Sequence, residues 1–431
     1  MAESSIATYA VSLKPAELPL NVHRWNLWVS GTEAAIYIAA ADMMGPMTLI
    51  PFLFNRTGID NSWLGLFTIS ALLLALGGPV GTAIAGGRER KLSFCIKVGI
   101  LQRLPFFLVP IGATFFFSSP YVLLVLFVLA WAASNFVGGI CAPLYQVVIT
   151  NGTRESSWGM LMSLRYVLAA TGGLITTGFV WWANRTFILP HNYIVIGWAG
   201  VAMLFVSLYI VSQLHEVPTA QVSGRSEPLS ETVRQMGRIL RDHASTRWLI
   251  LGQFFRAFGF LLGTYMTAVL IERCHLTEEE MWIPLLLSTL PAIAAHMAAG
   301  WLVDHWGAKP ALVLSSLLVA VNSFYATYCY SMPAFVVLFL SGMFGGSLMA
   351  NAWPTLLTKQ APASGRPLYF STVSLATAPG NVAVMLAGIY LVRVAGYNVV
   401  FDISAVGALI SAVIFYAKLP HIRTAAQEWF E

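Results

Sequence analysis

Charge is what this sequence has least of: only 10% of its 431 residues are Asp, Glu, Lys or Arg, while 57% are hydrophobic. A soluble chain carries about 25% charged residues, so a water-soluble globular protein is excluded. Cysteine is scarce as well. Cys95, Cys141, Cys274 and Cys329 stand far apart with no CxxC spacing, which excludes a zinc or disulfide framework. There is no HExxH, no phosphate-binding loop and no Asp/His cluster, so an enzyme and a cofactor are not expected. Alternation of polar and apolar residues in ~10-residue units is absent, which removes a transmembrane β-barrel. The first 24 residues lack a basic stretch followed by an apolar core, so no cleaved signal peptide is expected.

What the chain does contain is long apolar blocks. Val122–Phe136 and Tyr193–Val211 carry no charge, and mean hydropathy is +0.72. A helix crossing ~30 Å of hydrocarbon needs ~20 such residues at ~1.5 Å each. The pattern predicts about twelve spans in an all-α polytopic membrane protein. They fall at 27–54, 61–86, 94–117, 121–149, 158–183 and 193–213, then 248–271, 282–303, 308–330, 333–357, 368–393 and 397–418. These make two six-helix bundles, 27–213 and 248–418, with tails at 1–26 and 419–431 and a linker at 214–247. Within the linker, Leu229, Val233, Met236 and Leu240 share one helical face, which predicts either an amphipathic helix along the membrane surface or an exposed linker helix. With the linker and both termini on one side, sixteen Lys and Arg lie there and four lie opposite. The positive-inside bias makes that side cytoplasmic, in a multi-pass cell membrane protein, most simply a bacterial inner membrane. The net charge of +5 follows from this bias and implies no nucleic acid partner.

The two halves look like copies. Arg24-Trp25 opens the first span and Arg247-Trp248 the seventh; Arg56 is matched by Arg273 and Trp63 by Trp282. Offsets of 223, 217 and 219 residues argue for a duplicated six-helix unit with a site between the copies. After the eighth span the sequence reads Gly300-Trp-Leu-Val-Asp304-His-Trp-Gly307-Ala-Lys309. Gly300 permits close helix packing, Asp304 suits a neighbouring helix N-terminus, Gly307 suits a tight turn, and Lys309 holds its loop on the basic side. This run resembles the loop signature of the major facilitator superfamily, similarly placed between the second and third helices of a half. The resemblance implies the two-bundle fold, transport by alternating access, and a latch formed by Gly300, Asp304, Gly307 and Lys309. The matching first-half loop departs from the pattern, with Ala85 in the aspartate's place and Arg88 near the second glycine's. Span 5 also lacks the Gly-Pro pair of drug/proton antiporters.

Ionisable groups inside the bilayer are functional candidates by default, because each costs a few kcal/mol to insert. Glu33, Arg103, Arg165, Arg256 and His296 fall in one layer ~9–13 Å from the basic side by helix rise. Asp42 lies deeper, and Lys97 is shallow enough to snorkel. In the family the resemblance implies that spans 1, 4, 7 and 10 line the cavity and 2, 5, 8 and 11 flank it. On that basis Arg165, Arg256, Asn135, Gln253, Asn351 and Asn381 are candidate solute contacts, and Asp42, Glu33 and His296 candidate proton carriers. Arg103, on a support helix, is read as structural. Against the solute reading of Arg165 and Arg256 stands an ion pair with Glu33. Trp131, Tyr145, Tyr166, Phe254, Phe258 and Trp353 could stack on a ring. Met43, Met44 and Met47 read as gap-filling residues, not metal ligands. The expected function is a monomeric, proton-coupled symporter of a small organic solute, anionic or zwitterionic in preference to cationic. The alternatives are an exporter of drugs or amphipathic metabolites and a non-transporting sensor on the same fold.

Overall fold

A computed structural model describes residues 18–45, 50, 63–218, 228–275, 282–361 and 365–420. Met47 and Arg56, invoked above, lie outside these residues, as do most of the two tails. All regular structure among the described residues is helical. That is forced: lipid offers a backbone N–H no partner, so each apolar block must satisfy its own hydrogen bonds.

The first half comprises α1 (Leu20–Met44), α2 (Leu64–Ala85), α3 (Leu92–Arg103), α4 (Leu108–Phe115), α5 (Pro120–Asn151), α6 (Trp158–Thr186) and α7 (His191–Val211). A surface helix α8 (Leu229–Asp242) follows. The second half comprises α9 (Ala244–Ala257), α10 (Gly259–Cys274), α11 (Trp282–Trp306), α12 (Ala308–Thr327), α13 (Met332–Gln360) and α14 (Arg366–Lys418). Among the described residues, eight helical stretches are long and apolar enough to span a membrane. The last of these, α14, is two spans fused across Gly396 (φ 78°, ψ 176°). Helices α1, α2 and α11 have 25, 22 and 25 residues, enough to cross ~30 Å at ~1.5 Å per residue.

Several boundaries differ from the sequence expectation. The first span begins at Leu20, not residue 27, because Asn26 bonds the Gly152 and His215 carbonyls and ties its first turns to returning chain. Arg24-Trp25 and Arg247-Trp248 therefore lie inside helices instead of opening them. The third span is interrupted at Leu104–Phe107 by a 3-10 turn carrying Pro105, whose missing N–H cannot extend α3. The seventh span starts at Ala244 and tightens at Phe258, between α9 and α10. Helix α8 buries Thr232, Met236 and Ile239 against α2 and α14, leaving Leu229 and Val233 exposed. Its packed face is thus rotated from the expected one, and it lies beneath the ends of helices from both halves.

The apolar cores are segregated. Among the described residues, clusters around Phe106–Phe127 and Trp158–Leu161 draw on the first half and the linker's Leu214, and those around Leu312–Phe415 and Leu261–Phe335 on the second half and the linker's Ile239, with Ile69 packing across. Between halves, α6 packs on α11 and α2 on α14. The contacts there are small or polar. A Cβ on Gly300 would stand 2.4 Å from Ser163 Cβ, and one on Gly159 would meet Asp304. Two bodies with private cores and a polar seam can move against each other without opening either core.

Candidate functional site

Four polar groups converge in the first half. Glu33 of α1 accepts a hydrogen bond from Tyr145 of α5 at 2.7 Å and pairs with Arg165 of α6 at 3.3 Å. Arg165 Nη1 also donates to Tyr145 Oη at 3.2 Å and to the Ser30 hydroxyl at 2.5 Å, and its guanidinium lies over the Tyr145 ring. Side-chain exposures of 16% for Arg165 and 7% for Glu33 make this a desolvated pair, with Tyr145 and Ser30 adding hydrogen bonds to the same Nη1 group. Such satisfaction is what allows an ion pair to survive burial. Glu33 and Arg165, expected in one layer, are therefore in direct contact, and Tyr145 serves the carboxylate instead of standing free as a stacking surface.

The next residue of α6 crosses to the other half. Tyr166 stacks on His296 of α11, ring centroids 4.7 Å apart and planes 13° from parallel. His296 Nδ1 lies 3.2 Å from Asn351 Nδ2 of α13, and Ser163 donates to the His296 carbonyl at 2.6 Å. Neighbouring residues of α6, Arg165 and Tyr166, thus touch Glu33 in the first half and His296 in the second.

One turn nearer the linker, the halves are fastened. Asp304 accepts the backbone N–H groups of Gly159 and Met160, each at 2.9 Å. These are among the first N–H groups of α6, which have no partner within their own helix, and the helix dipole favours a carboxylate there. Gly307 has φ 92°, the left-handed region that glycine enters freely, and turns the chain into α12. Lys309 donates to the Leu419 carbonyl at 2.7 Å. Beside this, Arg366 lies over the Trp158 ring at 5.0 Å and donates to Asn151 Oδ1 at 3.0 Å. At the α2–α14 contact the Thr82 and Ser371 hydroxyls are 2.7 Å apart. The first-half loop, lacking the aspartate, is held differently: Glu216 accepts the N–H groups of Lys91 and Leu92 and caps α3 within its own half.

The structure places the other candidates apart. Arg103 donates to the Leu204 and Gly99 carbonyls and the Ser207 hydroxyl, a structural clamp between α3 and α7. Arg256 is buried and donates at 3.3 Å to Ser315 of α12. Asp42 is exposed, and its carboxylate has no partner among the described residues; Lys97 is exposed. Gln253 Oε1, Asn351 Oδ1 and Asn381 Oδ1 are buried acceptors without partners among the described residues, whereas Asn135 is only half-buried. Trp131 is wedged edge-on against Phe106 and Phe67 in the core. A cavity of about 190 Å³ opens between the halves, walled by Leu74, Pro143, Trp353 and Phe370, with Ser374 and the unpartnered Gln146 amide among its polar lining. Thr82, Ser371, Trp158 and Arg366 were not anticipated. Hydroxyl and indole groups near a helix end carry no distinguishing spacing, and Arg366 reads from sequence as one more basic loop residue.

Comparison with known proteins agrees with this architecture. The sequence profile of the Major Facilitator Superfamily matches residues 249–428, the half in which the Gly300–Lys309 run stands. The fold is shared with human organic anion transporter MFSD10 (TETRAN), at TM-score 0.68 and 14% identity over 92% of this chain and 100% of that one. It is shared also with FucP in the outward conformation (0.65, 13%, 91% and 98%) and with the proton:xylose symporter XylE (0.64, 14%, 93% and 95%). No curated relative matches by sequence. The profile thus matches the second half of the chain, and the likeness to the solved structures is one of fold.

Proposed function

We propose that this chain is a secondary transporter that moves a small organic solute by alternating access, coupled to protons, with the linker end and both termini in the cytoplasm. The observation that carries the reading is Asp304, a loop carboxylate of one half bonded to the helix start of the other. It belongs to a seam of charges, hydroxyls and glycines that can part and rejoin, between halves whose apolar cores are their own. The seam is closed at the linker end, so the solute in this state would be reached from the opposite face.

Coupling falls to the Glu33–Arg165–Tyr145 group. Protonating Glu33 removes the charge that neutralises Arg165, and the released guanidinium must find another partner across α6. Asp42, exposed on the same helix, is a second proton carrier nearer the far face. Arg165 engaged by Glu33 is not free to bind an anion at the same time, so zwitterionic solutes suit it better than simple anions. Uptake into proteoliposomes across a compound panel, with and without a pH gradient, tests the reading. Gradient-dependent accumulation that Asp304→Asn slows is expected; a solute flux indifferent to both pH and Asp304 overturns it. Labelling a cysteine at Ser223, on a cysteine-free background in intact cells, tests the orientation, and reagent access from outside would reverse it. The alternative, export of amphipathic compounds, is favoured by an apolar groove of about 510 Å³ between α1, α6 and α7, walled by Ile36, Leu168, Phe179 and Met203.

A further inference from the structure

The buried arginines are not equally served. Arg103 uses Nε, Nη1 and Nη2 on two carbonyls and a hydroxyl. Arg165 has Glu33, Tyr145 and Ser30. Arg366 has Asn151 and the Trp158 ring, although its Nε too is buried without a partner among the described residues. Arg256, only 4% exposed, has among the described residues one long bond to Ser315 at 3.3 Å, and its Nε is buried without a partner there. Ser315 spends its own proton on the Gly345 carbonyl at 2.7 Å, so it can only accept from Arg256. No carboxylate among the described residues lies within ion-pair distance of Arg256. An arginine cannot shed its proton to escape burial, and a buried charge left unpaired is strongly unfavourable.

Glycines stand along the helices beside Arg256. Arg256, Gly259 and Gly263 follow at i, i+3 and i+7 on one face of α9 and α10. A Cβ on Gly259 would stand 2.6 Å from Arg256 Nη1, so the guanidinium lies against Gly259. Gly263 is exposed, and a Cβ there would meet nothing within 4 Å. On α13, which α10 touches, Gly346 is likewise exposed and open. Gly259 thus leaves one flank of the guanidinium without a side chain, and Gly263 and Gly346 are open positions farther along α10 and on α13.

We propose that Arg256 is an anion-binding site that takes a carboxylate-type group of the solute in the second half, a placement that rests on the transport reading above. A carboxylate matches the planar fork in a way that an ammonium point charge does not reproduce. Arg165 and Arg256 then have separate tasks: the first exchanges partners with Glu33, and the second holds the solute's negative end.

The test reads binding, not flux. Full-length protein in lipid nanodiscs is heated with equal concentrations of sodium acetate, sodium benzoate or sodium chloride, so that screening is common to all. The carboxylates should raise Tm above chloride, with half-saturation at least tenfold weaker in Arg256→Gln. Gly263→Leu, which fills the open face and keeps the charge, should weaken it similarly; Arg256→Lys should fall between. If Arg256→Gln fails to fold, the Gly263 and Lys variants decide. Equal stabilisation by chloride and carboxylate, lost in the variants, overturns the solute assignment in favour of a halide. Carboxylate stabilisation untouched by all three variants overturns the site. Wild-type protein that binds carboxylates through Arg256 yet moves no solute would sink the transport reading and leave the anion site standing.

Discussion

At the residue scale, Glu33 and Arg165 decide how charge is carried inside the bundle. Each neutralises the other, so removing one strands its partner, at a cost of about 3–5 kcal/mol for a buried pair. Glu33→Ala and Arg165→Ala should both lower expression and Tm, and the swapped pair Glu33→Arg/Arg165→Glu should recover much of the loss. Glu33→Gln separates folding from coupling. It keeps the acceptor oxygen for Tyr145 and mimics the protonated carboxyl. Solute exchange should persist in this variant while accumulation against a gradient disappears; full gradient-driven uptake would remove Glu33 from the coupling step. Asp304 is a simpler case, since it faces a helix start and not a lone cation. Charge at a helix N-terminus is worth up to ~2 kcal/mol, a factor of 5–30 in an equilibrium. Asp304→Asn should therefore shift the closed state by that factor and slow transport severalfold with Tm nearly unchanged. Ala85→Asp, at the first-half counterpart, should do far less harm.

At the element scale, glycine spacing sets how closely helices approach. Gly77 and Gly81 of α2 face Gly139 of α5 so tightly that a Cβ on Gly81 would stand 1.8 Å from the Ile140 carbonyl and one on Gly139 1.9 Å from that of Leu74. No side chain can yield there, because the obstacle is backbone. Gly81→Val or Gly139→Val should exceed the ~1–3 kcal/mol usual for overpacking and abolish folded protein in detergent, read by size-exclusion chromatography. Gly178→Val, with nothing within 4 Å of its Cβ, is the matched control. The spans themselves were legible in the sequence, since twenty apolar residues in lipid have one way to fold. Their ends were less so. The extra turns of α1 depend on Asn26 meeting chain almost 190 residues away, and the rotated face of α8 on which helices lie above it. The Asp304 loop was legible because its chemistry is local. The Tyr166–His296 stack was not, because it exists only once two halves meet.

At the scale of the whole molecule, the seam between halves should determine whether the protein works. Thr82 and Ser371 are the contact best suited to test this, with hydroxyl oxygens 2.7 Å apart on α2 and α14. A separation of that size brings Cβ atoms near the ~3.5–4.5 Å that a disulfide requires. On a cysteine-free background, Thr82→Cys/Ser371→Cys should cross-link under mild oxidation and fix the linker end shut. The bond ties one half to the other without entering either apolar core, so Tm should rise or stay constant while transport stops, and a reductant should restore it. Either single cysteine should transport normally before and after oxidation, since the lost hydroxyl pair is worth only ~1 kcal/mol. Transport that continues through the oxidised double variant would mean that the halves need not separate here. The α2–α14 contact would then be a fixed hinge, leaving the α6–α11 contact, with Asp304, to do the opening.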